Sequence, residues 1–293
     1  MVTVAQALAD AQAVGAARLD AQHLLAHCLG QTRAWLFAHD DLTISAEKAT
    51  AWATQLARLA DAEPLAYLLG EHEFHGLRLS ITCDVLVPRA DTETLVDWAL
   101  SLLSGMPGLP APALIDLGTG SGAIALALAR AWPTAQVTAT DVSPAALDLA
   151  RRNAAALGLS LQWRLGHWWQ ALASDLGPIP AAMDRFDLAV ANPPYIAAAD
   201  PHLPGLRHEP VLALTPGGDG LSAIRQIVAD APQHLRAGGW LLLEHGHDQP
   251  EPVCVLLQQA GFTDVQSRRD LAGQWRCSGG RWPGPRSAIG SIS

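Results

Sequence analysis

Asn192, Pro193, Pro194 and Tyr195 follow one another directly after the apolar run 186–191. Asn192 and Pro193 each precede a proline, whose ring clashes with helical geometry and holds the preceding residue extended. Their carbonyls therefore stay out of any helix, and the prolines have no N–H to pair. The Asn192 side-chain oxygen and the Pro193 carbonyl are thus two acceptors close together, which suits a planar nitrogen carrying two hydrogens. The lone pair of such a nitrogen is delocalised and weakly nucleophilic, and fixing both N–H bonds aims it at an electrophile by positioning and electrostatics. Tyr195 is expected to pack its ring face on that planar group or on a nearby cation. Asn192, Pro193 and Tyr195 are accordingly the candidate catalytic residues.

Upstream, Asp116-Leu117-Gly118-Thr119-Gly120-Ser121-Gly122 lies between a short apolar run at 113–117 and an alanine-rich helix over 123–131. Glycines at a strand-to-helix turn let the backbone bend tightly and let a nucleoside approach the unpaired N–H groups of a helix N-terminus. The next apolar strand, 136–140, ends at Asp141, an acid placed to bond ribose hydroxyls. Taken alone, the loop leaves its cofactor open, because Gly118, Gly120 and Ala123 also satisfy the spacing of a dinucleotide-binding turn. The Asn-Pro-Pro-Tyr turn decides between them. Hydride transfer has no use for two amide acceptors there, whereas methyl transfer to nitrogen does.

Positioning these groups falls to the flanking elements. From 113 onward, strands at 113–117, 136–140, 161–165, 186–191, 240–244 and 264–268 alternate with helices at 123–131, from Pro144, at 221–235 and at 251–260. That alternation predicts a doubly wound α/β domain, whose ligands sit beyond the carboxyl ends of its strands. Before it, 4–17, 19–29 and 46–59 are rich in alanine and leucine and read as helices, the last capped by Ser45. From Glu71 the period becomes two, with Leu77, Leu79 and Ile81 in phase, a turn at 82–84, then Val85 and Val87, which predicts a β-hairpin. Asp91 or Thr92 is the expected N-cap of a helix over 95–103. The implied domains are a helical one over 1–70, a hairpin linker over 71–88, the α/β domain over 89–278, and a tail over 279–293, rich in Gly, Pro, Ser and Arg, expected to be disordered.

Composition excludes several classes. A net charge of -9 and 19 scattered basic residues argue against affinity built on wrapping polyphosphate. Cys28, Cys83, Cys254 and Cys277 form no CxxC pair, so neither a zinc ribbon nor a disulfide framework is expected, and a reducing cytoplasm fits. No apolar stretch approaches the roughly 20 residues that span a bilayer, and no basic region precedes an apolar core at the N-terminus. His23 and His27 have the spacing of a helical metal pair, but Leu24 stands where that pattern needs glutamate. His245-Gly246-His247-Asp248 also lacks further ligands, so no metal is expected.

The glycine string, Asp141 and Asn-Pro-Pro-Tyr together resemble class I S-adenosylmethionine-dependent amino-methyltransferases. The likeness is closer still to the bacterial protein-(glutamine N5) methyltransferases of peptide chain release factors, and it covers residues 17–276. It is carried by Arg18-Leu19-Asp20-Ala21, Pro64-Leu65-Ala66-Tyr67-Leu68-Leu69-Gly70-Glu71, Val87-Pro88-Arg89, Thr92-Glu93, His208-Glu209-Pro210, Gly218-Asp219-Gly220-Leu221 and Asp270-Leu271-Ala272-Gly273.

The resemblance implies a Rossmann-like, seven-stranded sheet whose last strand, near 274–278, is antiparallel. It implies that Gly118, Thr119, Gly120, Ser121, Gly122, Asp141 and Trp168 hold S-adenosylmethionine, with Asn192 touching it as well. Asn192, Pro193, Pro194 and Tyr195 would bind the side-chain amide of a glutamine, that of the GGQ motif in release factors, and the N-terminal helices would dock that protein onto a monomeric enzyme. Asn-Pro-Pro-Tyr is shared with nucleic-acid adenine N6-methyltransferases, and a ribosomal-protein glutamine methyltransferase would use the same site, so both activities stand as alternatives. Glu209 and Arg89 read either as lining the substrate site or as a surface ion pair. Trp168 and Trp169 have core packing as their alternative. The sequence departs from the family pattern at Ala90-Asp91, where Pro-Glu is usual, and at His167, where an acid is usual and would meet the adenine amino group.

Overall fold

The computed structural model describes residues 2–106, 110–173 and 185–285. The chain divides into two compact units, the first running to His72 and taking in Ile81–Cys83, the second built from Glu73–Ser80 and the chain from Asp84 onward. The first unit holds α1 (Val4–Ala13), α2 (Arg18–Leu29), α3 (Arg33–Ala38), α4 (Ala46–Ala60) and α5 (Leu65–Leu69). Thr3, Thr32 and Ser45 cap three of these through their side-chain oxygens, each satisfying a backbone N–H that the first turn leaves unpaired. Helix α1 stops at Ala13 instead of running to 17, because Gly15 takes a left-handed φ of 82° and turns the chain. Leu24, Leu25, Leu36, Trp52 and Leu56 fill the core of the unit. His23 and His27 are exposed on α2.

A hairpin of β1 (Glu71–Phe74) and β2 (Leu77–Ser80) follows. Its turn lies at His75-Gly76, not at 82–84. Both turn residues have positive φ, 49° and 73°, the requirement of a two-residue turn that matches strand twist. Glu93 Oε1 accepts the His75 N–H at 2.8 Å and Glu73 Oε1 accepts the Gly76 N–H at 2.7 Å.

In the second unit, a 3-10 turn (Ala90–Thr92) leads into α6 (Glu93–Ser104), which has no side-chain cap from Asp91 or Thr92. The sheet is then built from β3 (Ala113–Leu117), β4 (Gln136–Asp141), β5 (Gln162–Leu165), β6 (Phe186–Ala191), β7 (Leu235–Glu244), β8 (Thr263–Arg269) and β9 (Trp275–Arg281). Helices α7 (Ala123–Ala131), α8 (Pro144–Leu157), α9 (Val211–Leu214), α10 (Ser222–His234) and α11 (Pro250–Gln259) intervene. The seven strands stand in the order β5-β4-β3-β6-β7-β9-β8, and β9 runs antiparallel to both its neighbours. Every residue of β3 and β6 is buried, as the near-continuous apolar runs of these strands require when both faces are covered. Strand order reverses between β3 and β6, and the crevice outside their carboxyl ends is where such sheets bind ligands.

Two strands exceed their expected limits. Strand β7 starts at Leu235, and β9 carries on through Gly279 to Arg281, so the sheet extends into what reads as the start of a tail; residues 286–293 of that tail lie outside the described residues. Glycine is required in β9 by close approach. A Cβ on Gly279 would stand 2.5 Å from Leu242 Cδ2, 2.7 Å from the Leu241 carbonyl oxygen and 3.0 Å from Trp98 Cη2 of α6. Among the described residues, no helix is long and apolar enough to cross a membrane. Because the Leu241 carbonyl belongs to the ladder and cannot move aside, Gly279→Ala is expected to destabilise the protein by about 1–3 kcal/mol, the scale of overpacking in a full core. Urea unfolding of the variant against the parent chain measures it, and an unchanged midpoint would mean that β9 yields.

Candidate active site

The glycine turn is pinned to the strand beside it. Gly118 and Thr119 both donate their N–H groups to the Thr140 carbonyl, at 2.9 and 2.8 Å. Gly118, Gly120 and Gly122 all have positive φ, which a side chain would oppose. At Gly118 space is limiting as well, since a Cβ there would lie 2.8 Å from Cζ3 of the Trp168 ring. Gly122 precedes α7 without a side-chain cap of its own, and of the first three N–H groups of that helix the one taken up by a side chain is that of Ala125, which Asp116 accepts. Asn153, buried in α8, donates to the Ser121 carbonyl at 2.9 Å and exchanges two hydrogen bonds with the Ser80 backbone, tying the loop to β2.

Two carboxylates organise the loop. Asp116 is fully buried in β3 and accepts from Thr119 Oγ1 at 2.6 Å and from the Ala125 N–H at 3.2 Å, while its Oδ1 has no partner. Burial pushes its carboxyl up to about 7, against the pull of these two bonds and with a further push from Asp141. Asp141 ends β4 and accepts from the Gly120 N–H at 2.8 Å and the Ser143 N–H at 2.9 Å. Burial raises its pKa too, with those backbone bonds opposing. Each oxygen of Asp141 keeps a second lone pair for hydroxyl donors.

A cavity of about 480 Å³ opens here, within the size range of small-ligand sites. Gly118, Thr119, Gly120, Ser121, Asp141, Trp168, Asn192 and Pro194 line it, together with His167 and Thr92. It has the features that a nucleoside with a ribose diol requires: a cradle without side chains, an open helix N-terminus, a carboxylate at a strand end, and an indole as one wall. Trp168 and Trp169 divide their roles. Trp169 is core, stacked on His234 at 4.8 Å and donating its Nε1–H to the Ile227 carbonyl at 2.9 Å. Trp168, at a left-handed φ of 47°, turns its ring toward Gly118.

Other expected site residues stand elsewhere. Gly122, Pro193, Tyr195, Glu209 and Arg89 are not among the residues that line the cavity. Tyr195 packs on the apolar cluster of the sheet and donates its hydroxyl to Glu244 Oε1 at 3.1 Å, which ties the turn to β7. Burial, with Glu244 adding, raises the Tyr195 pKa above its ordinary value. Glu209 is buried, accepts from the Val87 N–H at 3.2 Å and pairs with the Arg89 guanidinium. Their neighbours Pro88 and Pro210 reach the cavity, so the pair clamps two of its walls together. His245 is buried, bonded to Ser278 Oγ and the Gly246 carbonyl, and among the described residues no group of three or more His, Cys, Asp or Glu could hold a metal ion.

Thr92, Glu244 and Asn153 escape a reading by motif. Asn192 Nδ2 donates to Thr92 Oγ1 at 3.2 Å, which leaves Asn192 Oδ1 as its free acceptor. Glu244 closes the apolar run Trp240-Leu241-Leu242-Leu243, and Asp116 interrupts another; an ionisable group inside a buried strand is the signal that would have found both.

Known proteins resemble this chain in sequence and in fold. Residues 2–70 match the PrmC N-terminal domain and residues 114–218 a methyltransferase domain. A release factor glutamine methyltransferase of Bordetella pertussis is 49% identical over 91% of this chain and 95% of its own. Its namesake in Pseudomonas aeruginosa is 43% identical over 96% and 99%. Among solved structures, the N-terminal domain of human METTL16 in complex with SAH shares the fold at a TM-score of 0.53 and 17% identity, over 83% of this chain and 85% of that one.

The buried Asp116 has a consequence for stability. Its folded pKa lies above the ordinary 3.8, so the unfolded chain ionises first, and stability is fullest below the unfolded value and falls as pH rises toward 7. Relative to Asp116→Asn, the parent chain should lose on the order of 3 kcal/mol between pH 4 and pH 7.5, following 1.36 kcal/mol per unit. Denaturant titrations of both proteins across that range read the difference directly, and parallel curves would contradict it.

Proposed function

Since the chain belongs to the release factor glutamine methyltransferase family, we propose that its methyl transfer proceeds in this cavity, with Asn192 and Pro193 holding the glutamine amide and the glycine turn holding the cofactor. The enzyme methylates the side-chain amide of a glutamine in peptide chain release factors, using S-adenosylmethionine. One observation supports the site above others: Asn192 and Pro194 line the same cavity as Gly118, Gly120 and Asp141.

S-adenosylmethionine supplies a methyl group on a sulfonium, whose leaving group departs as a neutral thioether and needs no acid. Asp141 would accept the ribose hydroxyls, the N-terminus of α7 and the glycine backbone would hold the polar portion, and the Trp168 ring would wall the site. The task left to the protein is to align a weak nucleophile. Asn192 Oδ1 would accept one amide N–H, and the carbonyl of Pro193, which sits between the two lining residues Asn192 and Pro194, the other, so that the nitrogen's lone pair could be presented to the methyl group. The N–C bond would form as the S–C bond of the sulfonium breaks, and one of these hydrogens would be released from the nitrogen as a proton to water. Pro193 and Pro194 keep the carbonyls out of helical pairing, and Tyr195 locks the turn to β7.

The GGQ glutamine is the proposed acceptor, and the N-terminal helical unit is the proposed docking surface for the rest of the release factor. Its exposed apolar side chains Leu19, Phe37 and Leu42 are suited to protein contact. Mass spectrometry of purified release factor after incubation with the enzyme and S-adenosylmethionine tests the reaction and its position; methylation at another residue, or none, would overturn it. Phe37→Ala should raise KM for the intact factor several-fold and leave kcat unchanged, whereas equal values for both proteins would remove the docking role.

Asn192→Ala should lower single-turnover rates by about 10² to 10³, the loss typical of one preorganised polar contact. Calorimetry should find its cofactor affinity little changed. Asp141→Ala should do the reverse to binding, weakening S-adenosylmethionine by roughly 1.5–3 kcal/mol, the scale of a charged hydrogen bond. An Asn192→Ala enzyme close to the parent rate would take the Asn-Pro-Pro-Tyr turn out of the mechanism.

A further inference from the structure

The Asn-Pro-Pro-Tyr turn ends in a carbonyl that a side chain from the loop after β7 takes up. Gln249, the residue before α11, donates from Nε2 to the Tyr195 carbonyl at 3.1 Å, and its Oε1 accepts the Gly246 N–H at 2.8 Å. A backbone N–H can only donate and a carbonyl can only accept, so both ends of this amide are committed and it has one orientation. The side chain gives nothing to its own helix. It makes no cap bond to α11, whose start is closed by main-chain bonds from the Gln249 N–H to the Gly246 carbonyl at 2.9 Å and from the Val253 N–H to the Gln249 carbonyl at 3.1 Å. Glycines leave room for the bridge. A Cβ on Gly220 would stand 2.3 Å from the Tyr195 carbonyl oxygen and 3.0 Å from Gln249 Nε2, and one on Gly246 would stand 3.2 Å from Gln249 Oε1.

Tyr195 is thus held twice by the chain that closes β7, through its hydroxyl by Glu244 and through its carbonyl by Gln249. Just beyond it, the Ile196 N–H donates to the Leu214 carbonyl of α9 at 3.0 Å. Between Asn192 and Tyr195 the backbone has little freedom. Each proline ring fixes its own φ, and the proline that follows holds Asn192 and Pro193 extended. Neither proline has an N–H with which to anchor the turn. A displacement of Tyr195 is therefore carried along a stiff segment to the Pro193 carbonyl instead of being absorbed on the way.

We infer that Gln249 is a positioning residue for methyl transfer, which sets the direction of the Pro193 carbonyl by holding the carbonyl of Tyr195. The inference rests on the reading of Asn192 and Pro193 as the two acceptors of the glutamine amide. Gln249 is not among the residues that line the cavity, so it acts through the turn and not on the substrate. Alignment is where such a bond matters, because a misplacement of about 1 Å at reacting atoms costs on the order of 10²-fold in rate. Cofactor binding is assigned to the glycine turn and Asp141, and docking of the factor to the helical unit. Loss of the Gln249 bond therefore falls on the rate of the bound complex and leaves both affinities nearly as they were.

Three substitutions separate the two bonds of this amide. Gln249→Met keeps the length of the side chain and loses both, Gln249→Glu keeps the acceptor for Gly246 and loses the donor to Tyr195, and Gln249→Lys keeps a donor for Tyr195 and loses the acceptor. Single-turnover methylation of intact release factor, with factor and S-adenosylmethionine saturating, is measured for these and for Asn192→Ala, beside KM for the factor and calorimetry of the cofactor. Gln249→Met and Gln249→Glu should lose about tenfold or more in rate, with KM and cofactor affinity within about threefold, and Gln249→Lys should stay within about threefold of the parent rate. Gln249→Met or Gln249→Glu near the parent rate, or Gln249→Lys as slow as Gln249→Met, would each overturn the inference. If Gln249→Met does not fold, a faster Gln249→Lys than Gln249→Glu supports it and the reverse order overturns it; if a charged variant does not fold, Gln249→Met decides alone. A slow Asn192→Ala beside a parent-like Gln249→Met sinks only the positioning role, whereas a parent-like Asn192→Ala sinks the acceptor reading beneath it.

Discussion

The register between β3 and β6 is the constraint from which the site follows. Leu117 pairs with Ala191 in a parallel ladder, so the residues immediately beyond, Gly118 and Asn192, leave the sheet side by side. Both strands are buried on both faces, which denies them any chemistry along their length and concentrates it at their carboxyl ends. A slip of one residue would exchange the faces of every side chain in the strand, and burial on both faces forbids it energetically. The glycine turn and the Asn-Pro-Pro-Tyr turn are therefore held in relation to each other by backbone hydrogen bonds, with no flexible side chain between them.

Around these two ends the protein retains ionisable groups that packing alone would exclude. Asp116 and Glu244 lie fully inside the second unit, each with one oxygen lacking a partner. Burying a carboxylate opposes folding unless its bonds compensate, and the raised pKa of each reports that the compensation is partial. What each gains is direction. Asp116 fixes the Thr119 hydroxyl and the start of α7, and Glu244 fixes the Tyr195 hydroxyl and with it the end of the Asn-Pro-Pro-Tyr turn. Rigidity at the reacting centre is worth more to an aligning enzyme than the stability given up for it.

Much of this was legible in the chain because it rests on local rules. The alternation of apolar runs named the sheet, and Pro after Asn192 and glycine at 118, 120 and 122 named the two turns, since those residue types restrict or free the backbone wherever they occur. What escaped depends on partners distant in sequence. Tyr195 faces Glu244, 49 positions away, and Thr92 reaches Asn192 across 100, so neither bond leaves a local trace. The end of the last strand is hidden for the same reason. Glycines at 279 and 280 look like a tail until the approach of Trp98, Leu242 and Phe262 is known. The hairpin turn was legible in principle, because Gly76 follows His75 between two apolar phases, but the alternation was followed past its true bend.

The contact between Gly118 and the Trp168 ring has a bearing on how such a chain can drift. With 2.8 Å between a would-be Cβ and the indole, a side chain at 118 requires the Trp168 ring to shift, and the left-handed φ at 118 strains it even if the ring shrinks. The two positions form an asymmetric couple. The wall can be exchanged first, for a smaller aromatic or an aliphatic group, and the cradle stays intact; a change in the cradle first meets both the ring and the backbone strain. Mutational paths through this pocket therefore run in one order, and a chemist enlarging it for a bulkier cofactor analogue would have to begin at Trp168.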